Sequence, residues 1–291
     1  MAETNGIPVP VDNPPKREPA TSLLQVARAI GSVVSESDER FGDGVASDPE
    51  PCDTGGIFDP CQPADVDAWV CGDGDGVDED QPFALRVGVS RTTLDQNVDL
   101  TDRARRALAV CEHGLIGSEF WTGELATAQG WPNAFLAGPT VTPLAYSDAS
   151  TPVNVVDSLA ILEQSLAECG CGSRSMIHAS PRLATLWASL SLIRREGGLL
   201  LTALDSIVVT GPGYDGSGPE SLAPAGPKPQ TDTSSWAYGT GLVEIRLGPV
   251  ADLSGFDEET NDHVAFAQRL AVARFAPCCH VGIDVNLSEK C

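Results

Sequence analysis

Three soft-metal ligands stand together near the end of the chain, Cys278-Cys279-His280 in "RFAPCCHVGIDVNL". Thiolate and imidazole are the donors of tetrahedral zinc. The flanking residues, however, alternate apolar and polar, the pattern of a strand. Neighbours in a strand point to opposite faces, so adjacent cysteines do not readily share one ion, and Cys278 with His280 makes only half a site. The sequence therefore predicts a last strand entered after Pro277. Cys279, Val281, Ile283 and Val285 form its apolar face; Cys278, His280, Gly282 and Asp284 form a more polar surface face.

Other groupings invite chemistry and fall short of it. "SIVVTGPGYDG" carries Gly211, Gly213 and Gly216 in G-x-G-x-x-G spacing after a strand. A dinucleotide site needs a helix next, and Pro219, Pro224, Pro227 and Pro229 forbid one; the glycines read as a flexible loop. Asp73, Asp75, Asp78 and Asp80 crowd like a calcium loop, but Val77 and Ala84 occupy ligand positions of that register. The four histidines, His113, His178, His263 and His280, come without a G-x-S-x-G elbow. His178 in "MIHAS" reads as a satisfied core or interface histidine. Cys169-Gly-Cys171 lacks the C-x-x-C spacing of redox and zinc sites. Cys52, Cys61 and Cys71 read as loop thiols. Nine cysteines are an odd number, which argues against a complete disulfide framework; most are expected as reduced thiols acting as small hydrophobes. No catalytic residue, cofactor or metal is expected.

The elements around these residues give an α+β fold, with helices in the middle and a mostly antiparallel sheet at the end. "TSLLQVARAIGSVV" (21–34) predicts a short amphipathic helix capped by Thr21 or Ser22. The acidic, Gly/Pro-rich chain that follows to Gln81 reads as an extended arm. "PFALRVGVS" predicts a strand. Residues 100–128 predict the longest helix, capped by Thr101 or Asp102, with an apolar stripe of Ala107, Leu108, Cys111, Leu115 and Ile116. A helix over 151–170, a buried strand over 174–180 and a helix from Pro181 to Gly197 follow. Beyond them come two short strands over 199–211, a loop over 211–235, and β-rich segments at 235–250, 263–275 and 280–287.

With 42% hydrophobic residues over 291 positions, the chain can bury a core. The first residues resemble no secretory signal, and no apolar run reaches membrane-spanning length. Net charge is −23, with 18 acidic and 4 basic side chains in residues 1–80. Such a surface repels nucleic-acid phosphate. Arginine outnumbers lysine 15 to 3, the bias of a GC-rich genome.

From residue 100 to 287 the order of elements resembles the HK97-fold family, the major capsid proteins of tailed bacteriophages and the related encapsulin shells. The likeness is carried by the 101–126 helix with Glu112, Glu119 and "FWTG". A helix–strand passage follows, leading to Ser180-Pro181, and then the close "GLVEIRLGPV…NDHVAFAQRLAVARFAPCCHVGIDVNL". The resemblance implies an N-terminal arm over 1–81, an extended-loop region over 82–100 and a spine helix over 101–128. It further implies peripheral and axial elements over 129–250 with an axial loop at 211–235, and returning strands over 251–291. It implies a self-assembling icosahedral shell of hexamers and pentamers around double-stranded DNA, bound without sequence preference and without a membrane. Such a shell is a virion component assembled in the host cytoplasm, with scaffold, portal and decoration proteins as partners; composition suits a phage of an actinobacterium. Some relatives cross-link a Lys to a neighbour's Asn, but no Lys lies between Lys16 and Lys228, so a non-covalent shell is expected. The assembly contacts expected on this basis are Glu119, Trp121, Arg269, Arg274, Tyr214 and Trp236. A tail or head–tail connector subunit, an encapsulin-like shell and a cytoplasmic enzyme are the alternatives.

Overall fold

A computed structural model describes residues 18–47, 78–92, 99–144, 152–169, 174–219, 230–275 and 279–288. Asp73 and Asp75 of the calcium-like run, Cys52, Cys61, Cys71, Cys171, Cys278 and the middle of the 211–235 loop lie outside these residues.

The chain opens with α1 (Leu23–Ile30), β1 (Val33–Ser35), a 3-10 turn at Glu39–Asp43, β2 (Val45–Ser47), β3 (Asp78–Asp80) and β4 (Phe83–Thr92). The helices α2 (Leu100–Thr122) and α3 (Glu124–Gln129) come next, then β5 (Thr142–Pro143), β6 (Val153–Asn154) and α4 (Val155–Cys169). β7 (Met176–Ala179) leads into α5 (Pro181–Ser189), β8 (Ile193–Glu196), β9 (Leu199–Thr202) and β10 (Ile207–Val209). β11 (Ser234–Thr240), β12 (Val243–Leu247), β13 (Ala251–Asp257), β14 (Asp262–Phe275) and β15 (His280–Asn286) complete it.

Two sheets organise the molecule. One has the order β1-β12-β14-β13, with β4 also paired to β14. The other runs β5-β15-β11-β7-β10-β9-β8, with β6 also on β15. The second is mixed but, as expected, mostly antiparallel: β10 runs parallel to β7, and β5 and β6 parallel to β15, while β11 pairs antiparallel with β15 and β7, and β9 with β10 and β8. It is buried on both faces. Met176, Ile207, Val209, Trp236 and Tyr238 face one core with α1 and α2. Ile177, Val208, Ala237, Val281, Ile283 and Val285 face another with α4 and α5. This double burial explains why β7, β10 and β11 are apolar or small at nearly every position.

Local signals decide where elements stop. Ser22 caps α1 through its hydroxyl, which accepts from the Gln25 amide, and Gly31 ends it at φ +79. The helix expected over 21–34 therefore closes at Ile30, and Val33–Ser35 instead pairs in parallel with Ile245–Leu247. α2 is capped by Asp99, two or three residues earlier than the expected Thr101 or Asp102, and ends at Gly123. Its buried face is Ala104, Leu108, Glu112, His113, Ile116, Gly117, Phe120 and Trp121. Cys111 and Leu115, expected in the stripe, are exposed. Asn154 caps α4, its amide oxygen accepting from the backbone of Val156 and Asp157. α5 begins at Pro181 behind the Ser180 cap, as expected, but ends at Ser189. Residues expected to continue it form a hairpin, because Gly197 and Gly198 both take positive φ and turn β8 back along β9. Residues 263–275, expected as β-rich, lie in the strand β14. It spans three partners, β4, β13 and β12. Among the described residues no helix is long and apolar enough to cross a membrane.

Candidate functional site

The centre of the molecule is the long helix α2, and three sets of residues hold it. The first is an ionic junction. Glu112 is 3% exposed, accepting from Arg28 of α1 at 2.9 Å through one oxygen and from Arg269 of β14 at 3.1 Å through the other. Arg269 also donates from Nε and Nη2 to the carbonyl of Gly248 at 3.1 and 2.9 Å. One carboxylate thus ties α1, α2 and the five-stranded sheet together. Burial makes the pairing obligatory, since an unpaired charge at this depth is strongly unfavourable.

Beside it, Ser22 Oγ lies 2.7 Å from His113 Nδ1, and Glu18 lies 3.6 Å from His113 Nε2. The order Ser–His–carboxylate looks like a nucleophilic triad. Yet Ser22 is 1% exposed, caps α1 and reaches the Pro19 carbonyl. A hydroxyl used this way has no open side for a substrate, and the cluster fixes the entry of α1.

The third set is a backbone docking. Pro212-Gly213-Tyr214 sits directly on α2 at Gly114, Gly117 and Ser118. A Cβ at Gly117 would stand 2.6 Å from the Pro212 carbonyl oxygen, and one at Gly213, where φ is +90, would overlap the backbone of Gly114 and Ser118. The glycines of the G-x-G-x-x-G run are therefore close-packing residues. The flexible-loop expectation is corrected for the described part: Tyr214 is buried, and its hydroxyl meets His178 Nδ1 at 2.9 Å.

Tyr214 opens onto a buried aromatic and histidine layer between α2 and the eight-stranded sheet. Trp121 packs on Tyr214 and Tyr238 with centroids 4.9 and 5.1 Å apart. His178 Nε2 meets Thr240 Oγ1 at 2.9 Å. His280, expected on a surface face, is buried: Nε2 lies 2.9 Å from the Leu136 carbonyl and Nδ1 3.3 Å from Thr140 Oγ1. Asp284 on the same face is also buried and accepts from Ser234 Oγ at 2.6 Å. The polar face of β15 turns toward the 136–144 segment and not toward solvent. Among the described residues no three His, Cys, Asp or Glu side chains converge as metal ligands.

Burial holds both imidazoles neutral, lowering His178 to about 3, with the neighbouring His280 adding to the effect, and His280 to about 4. The unfolded chain takes up these protons near pH 6.5. The stabilisation is thus complete above pH 6.5 and is lost as pH falls from there toward 4 and 3. Between pH 7.5 and 4.5 each histidine should cost roughly 2–3 kcal/mol of stability. Urea unfolding at the two pH values measures the loss, and His178→Gln should remove about half of the histidine-linked slope.

The residues expected to make assembly contacts are placed as follows. Glu119 caps α3, its carboxylate accepting from the amides of Leu125 and Ala126 at 3.0 and 2.9 Å. Trp121 is fully buried and donates to Ser217. Tyr214 and Trp236 are buried as well. Arg269 belongs to the ionic junction, and Arg274 faces Glu244 across the β12–β14 ladder at 3.6 Å. All six make contacts inside the subunit. The Glu112–Arg28–Arg269 junction was hidden from sequence reasoning because its members lie 84 and 157 residues apart.

No protein-family model and no curated relative matches the chain. Among solved structures, the capsid of an empty GTA particle aligns over 98% of this chain and 98% of that one, at a TM-score of 0.53 and 11% identity. This is an HK97-like capsid fold. The mature capsid of bacteriophage PhiM1 aligns over 98% of this chain and 92% of its own at TM-score 0.46 and 10% identity. The SrpI encapsulin complex from Synechococcus elongatus PCC 7942 aligns over 74% and 78% at 0.47 and 10%. The helix α2 lies along β4 and β14 of the five-stranded sheet, and α4 and α5 cover the far face of the eight-stranded sheet.

Proposed function

We propose that the chain is a structural subunit of an icosahedral phage capsid, self-assembling through hexamers and pentamers into the shell that encloses the genome. The observation that carries this reading is the end-to-end correspondence with the GTA capsid chain, with 98% of each covered. Two features support it. Ser22, His113, His178 and His280 are used in buried packing. Leu204, Leu253 and Phe256 stay 71%, 49% and 47% exposed on the isolated subunit, as surfaces that associate do.

The net charge of −23 suits a wall along which packaged DNA slides without sticking. The contacts between subunits are non-covalent in this reading, and scaffold, portal and decoration proteins are its partners. Assembly takes place in the host cytoplasm and the product is the virion shell. The six residues first expected at interfaces are engaged within the subunit, and in this reading the exposed apolar positions just named join them as candidates for the interface.

Expression of the full chain, alone and with portal or scaffold partners, followed by size-exclusion chromatography and negative-stain imaging, tests the proposal. Closed particles of many subunits are expected. Small discrete oligomers under both conditions would refute it.

A further inference from the structure

Cys169 and Cys279 are joined by a disulfide across 110 residues of sequence, with their Cα atoms 5.5 Å apart. Most cysteines were expected as reduced thiols, and this pair is an exception, although Cys279 does lie in the core as its place on the apolar face implied. Cys169 is the last residue of α4, and Cys279 immediately precedes β15. The bond therefore links the helical cover of the eight-stranded sheet to the strand beneath it.

β15 is a strand with one strong side. It forms a seven-residue ladder with β11. On the other side, among the described residues, it meets the two-residue β5 and β6 and accepts from the Leu144 amide at Gly282, while Pro143 of β5 has no N–H to donate. What holds that flank is α4, whose Leu159, Leu162 and Leu166 lie over Val281, Ile283 and Val285. Among the described residues few backbone hydrogen bonds lie on this side, so local opening of β15 is resisted there mainly by its packing under α4. Packing alone would let α4 and β15 part together; a covalent bond at their shared end does not.

We propose that the Cys169–Cys279 bond is a redox-dependent clamp that closes after folding and holds α4 and β15 together against local opening. The reduced pair needs no other partner, because buried thiols pack as small hydrophobes. Closure requires an oxidant, here a small-molecule disulfide. The half-buried Cys169 thiolate attacks it, forming a mixed disulfide and releasing one thiol. The Cys279 thiolate then attacks the Cys169 sulfur and displaces the second. The protein loses two electrons and two protons, and the small disulfide is reduced to two thiols. Excess dithiol reverses the sequence. The clamp is a property of the subunit and stands or falls independently of the shell reading.

The test is hydrogen exchange with peptide-level mass spectrometry on the full chain, before and after treatment with dithiothreitol. Non-reducing digestion of the oxidised protein should yield the Cys169 and Cys279 peptides linked to each other. Reduction should speed exchange of the β15 amides by about tenfold or more, while the α2 amides change less than about twofold. The variant C169A/C279A should show the fast β15 exchange from the outset and no response to reductant, and wild type reoxidised with a small disulfide should regain slow exchange. Separate, alkylatable Cys169 and Cys279 in the oxidised protein would overturn the proposal. So would equal acceleration in α2 and β15, or β15 exchange indifferent to reductant.

Discussion

Gly213→Ala should destabilise the subunit by about 3–5 kcal/mol, through a backbone clash and a disfavoured conformation acting at the same residue. Gly213 has φ +90, where an L side chain is strained by about 1–3 kcal/mol. Its added methyl would also overlap the backbone of Gly114 and Ser118, which belong to a continuous helix and cannot give way as a side-chain tip would. The 212–214 turn must then lift from α2. Tyr214 goes with it, breaking the hydrogen bond to His178 and the packing against Trp121. The midpoint of urea unfolding measures the loss, and near-ultraviolet circular dichroism should report the displaced aromatic layer. Gly198→Ala is the control. It too has positive φ, but no atom lies near an added methyl, so it should cost only about 1–2 kcal/mol. Equal losses in the two variants would show that the docking against α2 carries no weight.

Glu112→Ala should cost about 3–5 kcal/mol, because it empties a buried carboxylate site and leaves the half-buried Arg269 guanidinium without its counter-charge. Arg269 is 17% exposed and keeps only the Gly248 carbonyl as acceptor. Arg28 is 34% exposed and also reaches Glu18 at 3.2 Å, so solvent screens its loss and Arg28→Ala should cost about 1 kcal/mol or less. In a double-mutant cycle, Glu112→Ala with Arg269→Ala should recover part of the single-variant loss, since the orphaned charge is gone. A Glu112→Ala loss below about 1 kcal/mol in chemical denaturation would mean that the junction is solvated and has no structural role.

Much of the local structure follows from the sequence alone. Ser22 before an amphipathic run, Ser180-Pro181, and alternation in 280–287 mark elements through forces acting within a few residues: capping, fixed φ and the two-residue period of a strand. The resemblance to a capsid fold likewise rested on the order of such elements. Helix ends were less legible. "SLIRREGGLL" has enough straight-chain residues to extend a helix, and only the pairing of 193–196 with 199–202 favours the hairpin.

The site was the least legible part. The run "GPGYDG" has the same letters whether its glycines cradle a phosphate, allow flexibility or admit a helix backbone. The presence of α2 against them decides for the third. The run 280–287 was readable as strand, and its apolar face was correctly assigned, but the fate of its polar face was not. Alternation says that His280 and Asp284 share a side. It does not say that Leu136, Thr140 and Ser234 wait there to satisfy them. By itself the sequence determined what neighbours in the chain impose on one another: caps, turns, strand period and the acidic balance. Only the tertiary structure decided which polar groups are buried, because burial and pairing depend on residues brought together across 84, 110 or 157 positions, where no local force acts.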